Sequence, residues 1–253
     1  MNVDRGTKTS VAASINGQAM RPSHIRAFRG RIQDWGLKRA LYWQIMHALS
    51  KYLGINIHHV HIGADRLDLR DPEPPDVPSG YVTKLGCKND FLPFVGKVEF
   101  LDDEFVESAF ARGDECSLTL YKGELVSYCF ISRTWARMSP QLEVIVPNGF
   151  RYVYKGWTHA DHRRQNLSRI GGFHRISFAQ RPFTERSISC VATHNYPSRL
   201  HSYRNPRERS IRMGYVGWFT LFGRQYPFNS RKAKWVGFVV IRKDDARVRQ
   251  YVS

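Results

Sequence analysis

The chain has 253 residues, 42% of them hydrophobic and 13% aromatic, which suits one large folded domain with a real core and excludes a disordered chain. No run approaches the ~18 consecutive apolar residues of a membrane span, Met1–Gly30 contains no apolar leader segment, and the cysteines Cys87, Cys116, Cys129 and Cys190 form no CxxC pair. A reduced, cytoplasmic protein without a zinc ribbon or dithiol centre is expected. The net charge of +17 is uneven: +6 over residues 1–50 (8 Lys+Arg, 2 Asp+Glu), −5 over 51–150 (10 and 15) and +16 over 151–253 (21 and 5). The C-terminal part is therefore the one that attracts polyanions.

Residues 1–35, rich in Ser, Thr, Ala, Asn and Gly at their start, read as a flexible basic arm, and 36–97 as an extension ahead of a main domain over 98–253. Within the extension, Gly36–Gly54 reads as a helix, with Leu37, Leu41, Ile45, Leu49 and Leu53 at four-residue steps. That stripe packs on the domain or, with Lys38, Arg39 and Lys51 beside it, lies on an anionic membrane surface. Ile55–Ile62 reads as a strand on which His59 and His61 share a face and His58 points away. No carboxylate or cysteine stands at a spacing that would complete a metal site with them. Pro72, Pro74, Pro75 and Pro78 mark a connector that continues neither helix nor central strand.

Leu101–Arg112 reads as a helix with Asp102, Asp103 and Glu104 at its N-terminus, where acids are favoured. Ser117–Tyr121 and Val126–Ser132 read as a hairpin across Lys122–Gly123–Glu124. Arg151–His159 is a further strand, Leu167–Phe178 a helix and Ser187–Ala192 a strand. A short helical stretch begins near Pro197, and Tyr215–Phe222 and Lys234–Ile241 are the last strands. This order predicts an α+β chain with a mixed, mostly antiparallel central sheet flanked by helices.

The segment Thr158–His159–Ala160–Asp161–His162–Arg163–Arg164–Gln165–Asn166–Leu167–Ser168 lies between a strand and a helix. A turn that opens a helix presents unpaired backbone N–H groups and the positive end of the helix dipole, which suits phosphate. Arg163, Arg164 and Arg169 add cations that grip phosphate through paired hydrogen bonds. The plain alternative is an exposed basic turn.

This segment resembles the acyl-CoA loop of the GNAT superfamily, whose pattern is Arg/Gln-x-x-Gly-x-Gly/Ala after the central strand. Arg163, Asn166 and Ser168 occupy the three defining places, with Asn and Ser standing where the family has small residues. Asn tolerates the left-handed conformation that a glycine would adopt. A second likeness follows, with the strand Ser187–Ala192, then Asn195, Ser198 and Tyr203, then Gly214–Tyr215. Together the two cover roughly residues 98–223.

The resemblance implies an acyltransferase that moves an acyl group, acetyl first among them, from acyl-CoA to an amine or hydroxyl acceptor by direct attack in a ternary complex. It implies cofactor contacts at Thr158, Arg163, Arg164, Gln165, Asn166, Leu167, Ser168 and Asn195, and strand N–H groups that polarise the thioester carbonyl. The acid is expected at Tyr203, with His201 and Ser202 equally near; the base is His159 or, second, Glu143. The acceptor is a small molecule or glycan. A different reading keeps the fold without catalysis and gives the basic C-terminal half a polyanion partner: nucleic acid, anionic glycan or a membrane surface. Trp157, Tyr203, Tyr215 and Trp218 amid arginines are candidate base-stacking residues, although aromatic residues on strands usually belong to a core. Other enzyme signatures are absent: the sequence has no Gly-x-Ser-x-Gly elbow, Walker loop or His-Glu-x-x-His helix. Cys190 reads as a buried apolar residue and not a nucleophile.

Overall fold

The computed structural model describes residues 22–63, 75–178, 186–195, 198 and 210–245. The chain divides into two compact units at Gln44/Ile45. In the first, α1 (Pro22–Trp35) is a helix where a flexible arm was expected, and helix α2 (Leu37–Leu53) begins after Gly36. Arg31 lies 3.7 Å over the ring of Trp43. The stripe expected to be buried on α2 is instead largely exposed: Leu37 is 55%, Leu41 46%, Ile45 58% and Leu53 58% exposed, and Ala40 and Met46 are its buried residues. Four-residue spacing finds the helix, but it does not say which face is covered.

The second unit is built on an eight-stranded sheet. In chain order its strands are β1 (Asn56–Gly63), β2 (Tyr81–Gly86), β3 (Glu115–Tyr121), β4 (Glu124–Ser132), β7 (Phe150–Thr158), β8 (Arg186–Ala192), β9 (Ser210–Leu221) and β10 (Arg224–Asn229). Their spatial order is β10-β9-β1-β8-β7-β4-β3-β2. Every pairing is antiparallel except β7 with β8. A smaller antiparallel sheet orders as β11-β6-β5, from β5 (Trp135–Arg137), β6 (Leu142–Ile145) and β11 (Val239–Arg242). The class is α+β, as the sequence predicts. The segment 36–97, expected as an extension, supplies β1 to the middle of the main sheet and β2 to its edge.

The helices of this unit are α3 (Lys88–Phe91), α4 (Asp103–Ala111), α5 (Leu167–Phe178) and α6 (Arg231–Trp235). Asp102 caps α4 by accepting the Phe105 N–H at 2.8 Å. Lys122–Gly123 and Phe222–Gly223 turn their hairpins with φ positive at both residues, the geometry that matches strand twist. Strand β10 was not foreseen; it is an edge strand, where Pro227 is tolerated. The strand expected over Lys234–Ile241 starts only at Val239. Ser230 accepts the Ala233 N–H and caps α6, so the chain turns helical first.

The core is aromatic. Phe91, Phe105, Phe110, Tyr128 and Phe130 pack edge-on or tilted, with ring centroids 4.9 to 6.3 Å apart. Burying each such ring contributes about 1.5–3 kcal/mol. On the opposite face of the sheet, Leu167 and Ile170 of α5 pack with Val126 against Tyr81 and Tyr121.

Candidate functional site

Strands β7 and β8 run side by side over four registers, from Phe150–Arg186 to Val153–Ser189. Both then continue, β7 paired only to β4 through Thr158 and β8 only to β1 through Ala192. Beyond Val153 the facing edges of the two strands are thus not joined to each other. Within that stretch β7 carries a bulge: Tyr128 pairs with Trp157 and Phe130 with Tyr154, so Cys129 faces both Lys155 and Gly156. Lys155 takes φ 50°. A bulge leaves a backbone group out of the ladder, here in the stretch of β7 that has parted from β8.

Where the parting strands end, the chain enters the turn singled out above. Residues Ala160–His162 form a short 3₁₀ helix capped by His159, which accepts the Asp161 N–H at 3.4 Å. His159 is 48% exposed, and its Nδ1 lies 3.8 Å from the Asp161 carboxylate. His162 is fixed from outside the turn: its Nδ1 is 2.8 Å from the Tyr81 hydroxyl, and its ring lies 5.1 Å from that of Tyr121. Arg164 and Asn166 take φ 70° and 56°. The left-handed conformation is therefore realised at Asn166, the place where the resembled loop has glycine. The Asn166 carbonyl accepts from Arg169 and Ile170 and starts α5.

Arg163, Arg164, Gln165, Asn166, Ser168 and Arg169 are exposed. Arg163 Nε donates to the Thr158 carbonyl at 3.3 Å, which leaves its outer nitrogens for a ligand. Thr158 Oγ1 bonds Ser127 at 3.0 Å. Leu167 is 3% exposed; its side chain anchors the helix, and only its backbone faces the turn. At the same end of the sheet Asn195 is exposed, its N–H bonded to Ala192 and its Oδ1 accepting from Ser198. The structure therefore gathers Thr158, His159, the 163–168 turn and Asn195 at the C-terminal ends of two parallel neighbours.

Glu143 is not among them. It lies on β6 in the smaller sheet, 4% exposed, with Oε2 buried and unpartnered and its acidity weakened by burial. Leu142 and Val144 face the main core, so alternation puts Glu143 with Ile145 on the other face of β6, which is buried as well; a strand covered on both faces gives the sequence no signal for this. Tyr203, His201 and Ser202 lie outside the described residues, as do Pro197 and Pro72–Pro74. Of the candidate stacking residues, Trp218 is buried against His58 and Trp157 stacks on Tyr128 at 5.6 Å, leaving Tyr215 exposed. Cys190 donates to or accepts from the Tyr152 hydroxyl at 2.9 Å, and burial pushes its thiol up to about 11, as suits an inert cysteine.

Two features were missed. The first is the group that braces β7 where it leaves β8. Tyr154 donates to Asp114 at 2.5 Å, and Arg112 reaches Asp114 at 2.8 Å and Tyr154 at 3.1 Å while lying over Trp135. Tyr154 stands 40 residues from Asp114 in sequence, so no local pattern announces the group. The second is a histidine group at the C-terminal end of β8. His194 lies 6.0 Å from His47 ring to ring, and His58 stacks 5.2 Å over Trp218. Burial holds His58 down at about 4, with His194 adding to it, and burial followed by His47 lowers His194. His47, His58 and His194 come from three separate segments, so the sequence carries no joint signal for them. Among the described residues no group of side chains is placed to hold a metal ion, and no helix is long and apolar enough to cross a membrane.

No family model and no curated protein matches the chain. Among solved structures it is similar to a tandem GNAT protein from the clavulanic acid biosynthesis pathway (17% identity, 68% of this chain and 57% of that one, TM-score 0.43). It is also similar to a GCN5-related N-acetyltransferase from Kribbella flavida (15%, 57% and 52%, 0.35). A third similar structure is a functionally unknown conserved protein from Staphylococcus epidermidis (10%, 68% and 63%, 0.38). The chain spans between 52% and 63% of the length of these three structures.

Proposed function

We propose that the protein is an acyltransferase of the GNAT type, moving an acyl group, acetyl first, from acyl-CoA to an amine or hydroxyl of a small molecule or glycan. One observation carries this reading: the only parallel pair among the described strands of the sheet comes apart after Val153–Ser189, and the cationic turn opening α5 stands at the end of the gap. The pyrophosphate of CoA sits on the N–H groups at the start of α5, with Arg163, Arg164 and Arg169 around it. The pantetheine arm lies along the free edge of β7, and an N–H released at the Lys155–Gly156 bulge polarises the thioester carbonyl. The acceptor nitrogen or oxygen attacks the carbonyl carbon, the C–S bond breaks, and CoA leaves as a thiolate that takes up a proton. The acceptor proton goes to His159, which is exposed at the mouth, or to His194 just beyond the end of β8.

Isothermal calorimetry with acetyl-CoA, CoA and inorganic polyphosphate at about 0.15 M salt, where screening reaches over about 8 Å, tests the reading. Selective binding of the CoA species supports it. Equal binding of all three favours the non-catalytic reading, a polyanion binder drawing on the +16 charge of residues 151–253. The exposed apolar stripe of α2 supports a peripheral version of either reading at an anionic membrane; unchanged liposome flotation of Ile45→Glu/Leu53→Glu would remove it.

A further inference from the structure

The other end of the β7–β8 pair holds a cavity, independent of the acyl-CoA reading. It measures about 300 Å³ and is lined by Ile62, Phe150, Arg186, Ile211, Met213, Trp235 and Val236, a volume at the low end of small-molecule sites (~300–1,000 Å³). Its construction follows from the sheet register. Ile211 pairs with Ile62, Ile62 with Ile188, and Phe150 with Arg186. Since alternate residues share a face, Ile211, Met213, Ile62, Arg186 and Phe150 project from one face of four adjacent strands. Helix α6 lays Trp235 and Val236 across them. Ile211 is 60% and Trp235 82% exposed, so the cavity opens to solvent. It sits at the N-terminal ends of β7 and β8, roughly 26 Å along β7 from Thr158 at ~3.3 Å per residue.

Among the described residues that line this apolar hollow and the concavity beside it, the charge is of one sign. Arg186 lines it, and Arg231, Lys232 and Lys234 form with Trp235 a second concavity beside it. None of these four cations is ion-paired to an acid among the described residues. Apart from Arg186 and the indole N–H, the described lining residues offer no side-chain hydrogen-bonding group. A nucleobase or sugar placed there would lose the partners of its polar edges, whereas an alkyl chain fits Ile, Met and Val surfaces without such loss. An exposed Trp flanked by lysines and arginine matches a ligand with an apolar body and an anionic head.

We infer that this cavity binds the alkyl chain of an anionic amphiphile, with the chain under Trp235 and the head on Arg186. Titration of the full chain with decanoate below its micellar range, followed by tryptophan fluorescence and calorimetry, tests this against decyltrimethylammonium. The expected result is saturable one-to-one binding of decanoate, at least about tenfold tighter than the cationic amphiphile, reduced about fivefold or more by Arg186→Gln. Met213→Trp fills the cavity and should abolish binding; should that variant not fold, Ile211→Trp, at a more exposed position, serves the same purpose. Equal binding of the two amphiphiles, or full binding in a folded cavity-filled variant, overturns the assignment. Flotation on phosphatidylglycerol vesicles that decanoate competes away would assign the chain to a bilayer lipid; decanoate binding without flotation would assign it to a free amphiphile.

Discussion

The two ends of the β7–β8 pair are built by opposite means. At the C-terminal end a single run of eleven residues, Thr158–Ser168, supplies backbone donors, arginines and a left-handed Asn166. At the N-terminal end seven residues from β1, β7, β8, β9, α6 and its C-cap meet around an apolar hollow. One end depends on local chain geometry and exposed charge, the other on long-range sheet register. A polar cradle therefore tolerates little change in its turn and much in its surroundings, while the hollow behaves the other way round.

Between the two ends stands the Arg112–Asp114–Tyr154 brace, and breaking it should have the largest effect. Asp114→Ala leaves the buried Arg112 guanidinium without its carboxylate, a loss expected to lower stability by about 3–5 kcal/mol in urea unfolding. Tyr154→Phe, which spares the ion pair, should cost clearly less.

Next comes a pH effect confined to the C-terminal end. His58 is held at about 4 in the fold against an ordinary 6.5. The unfolded chain therefore takes up this proton first as pH falls. The stability is fully present above pH 6.5 and is lost as pH drops towards 4, by up to about 3 kcal/mol; the lowered His194 acts in the same direction. His58→Gln should flatten the slope of unfolding free energy between pH 7 and 5, and an unaltered slope would show that other groups set it.

At the cradle, Arg163→Glu should weaken acetyl-CoA binding about 10- to 100-fold, the worth of one hydrogen bond to a charged group. Its thermal transition should stay within about 0.5 kcal/mol, as for an exposed position. Unchanged affinity would leave the turn as a surface feature. Smallest of all, Asn166→Gly should raise stability by at most about 1 kcal/mol, because φ 56° is relieved of its side-chain strain while the unfolded chain gains freedom. A large loss of CoA affinity in this variant would give the Asn166 side chain a role of its own.

The same contrast governs what the sequence discloses. Helix α5 spans the residues expected of it, and β7, β8 and the β3–β4 hairpin fall within a few residues of expectation, because their signals are local. The tolerance of Asn for left-handed geometry is likewise a single-residue property, and the structure uses it at Asn166. The burial of Glu143, the brace on Tyr154, the place of β1 in the middle of the sheet and the hollow beneath Trp235 all depend on packing between segments far apart in the chain. On α2 periodicity identified the element but not its covered face. Helix spacing reports which residues align, and only tertiary packing decides which of them leave water.

Hydrogen exchange of the backbone amides with and without acetyl-CoA tests the central claim most directly, because it asks whether the ligand lies along the parted edge of β7. The account predicts slowed exchange over residues 154–158 and 163–169 with acetyl-CoA, and at 163–169 alone with inorganic polyphosphate. Unchanged exchange over 154–158 under saturating acetyl-CoA would contradict it.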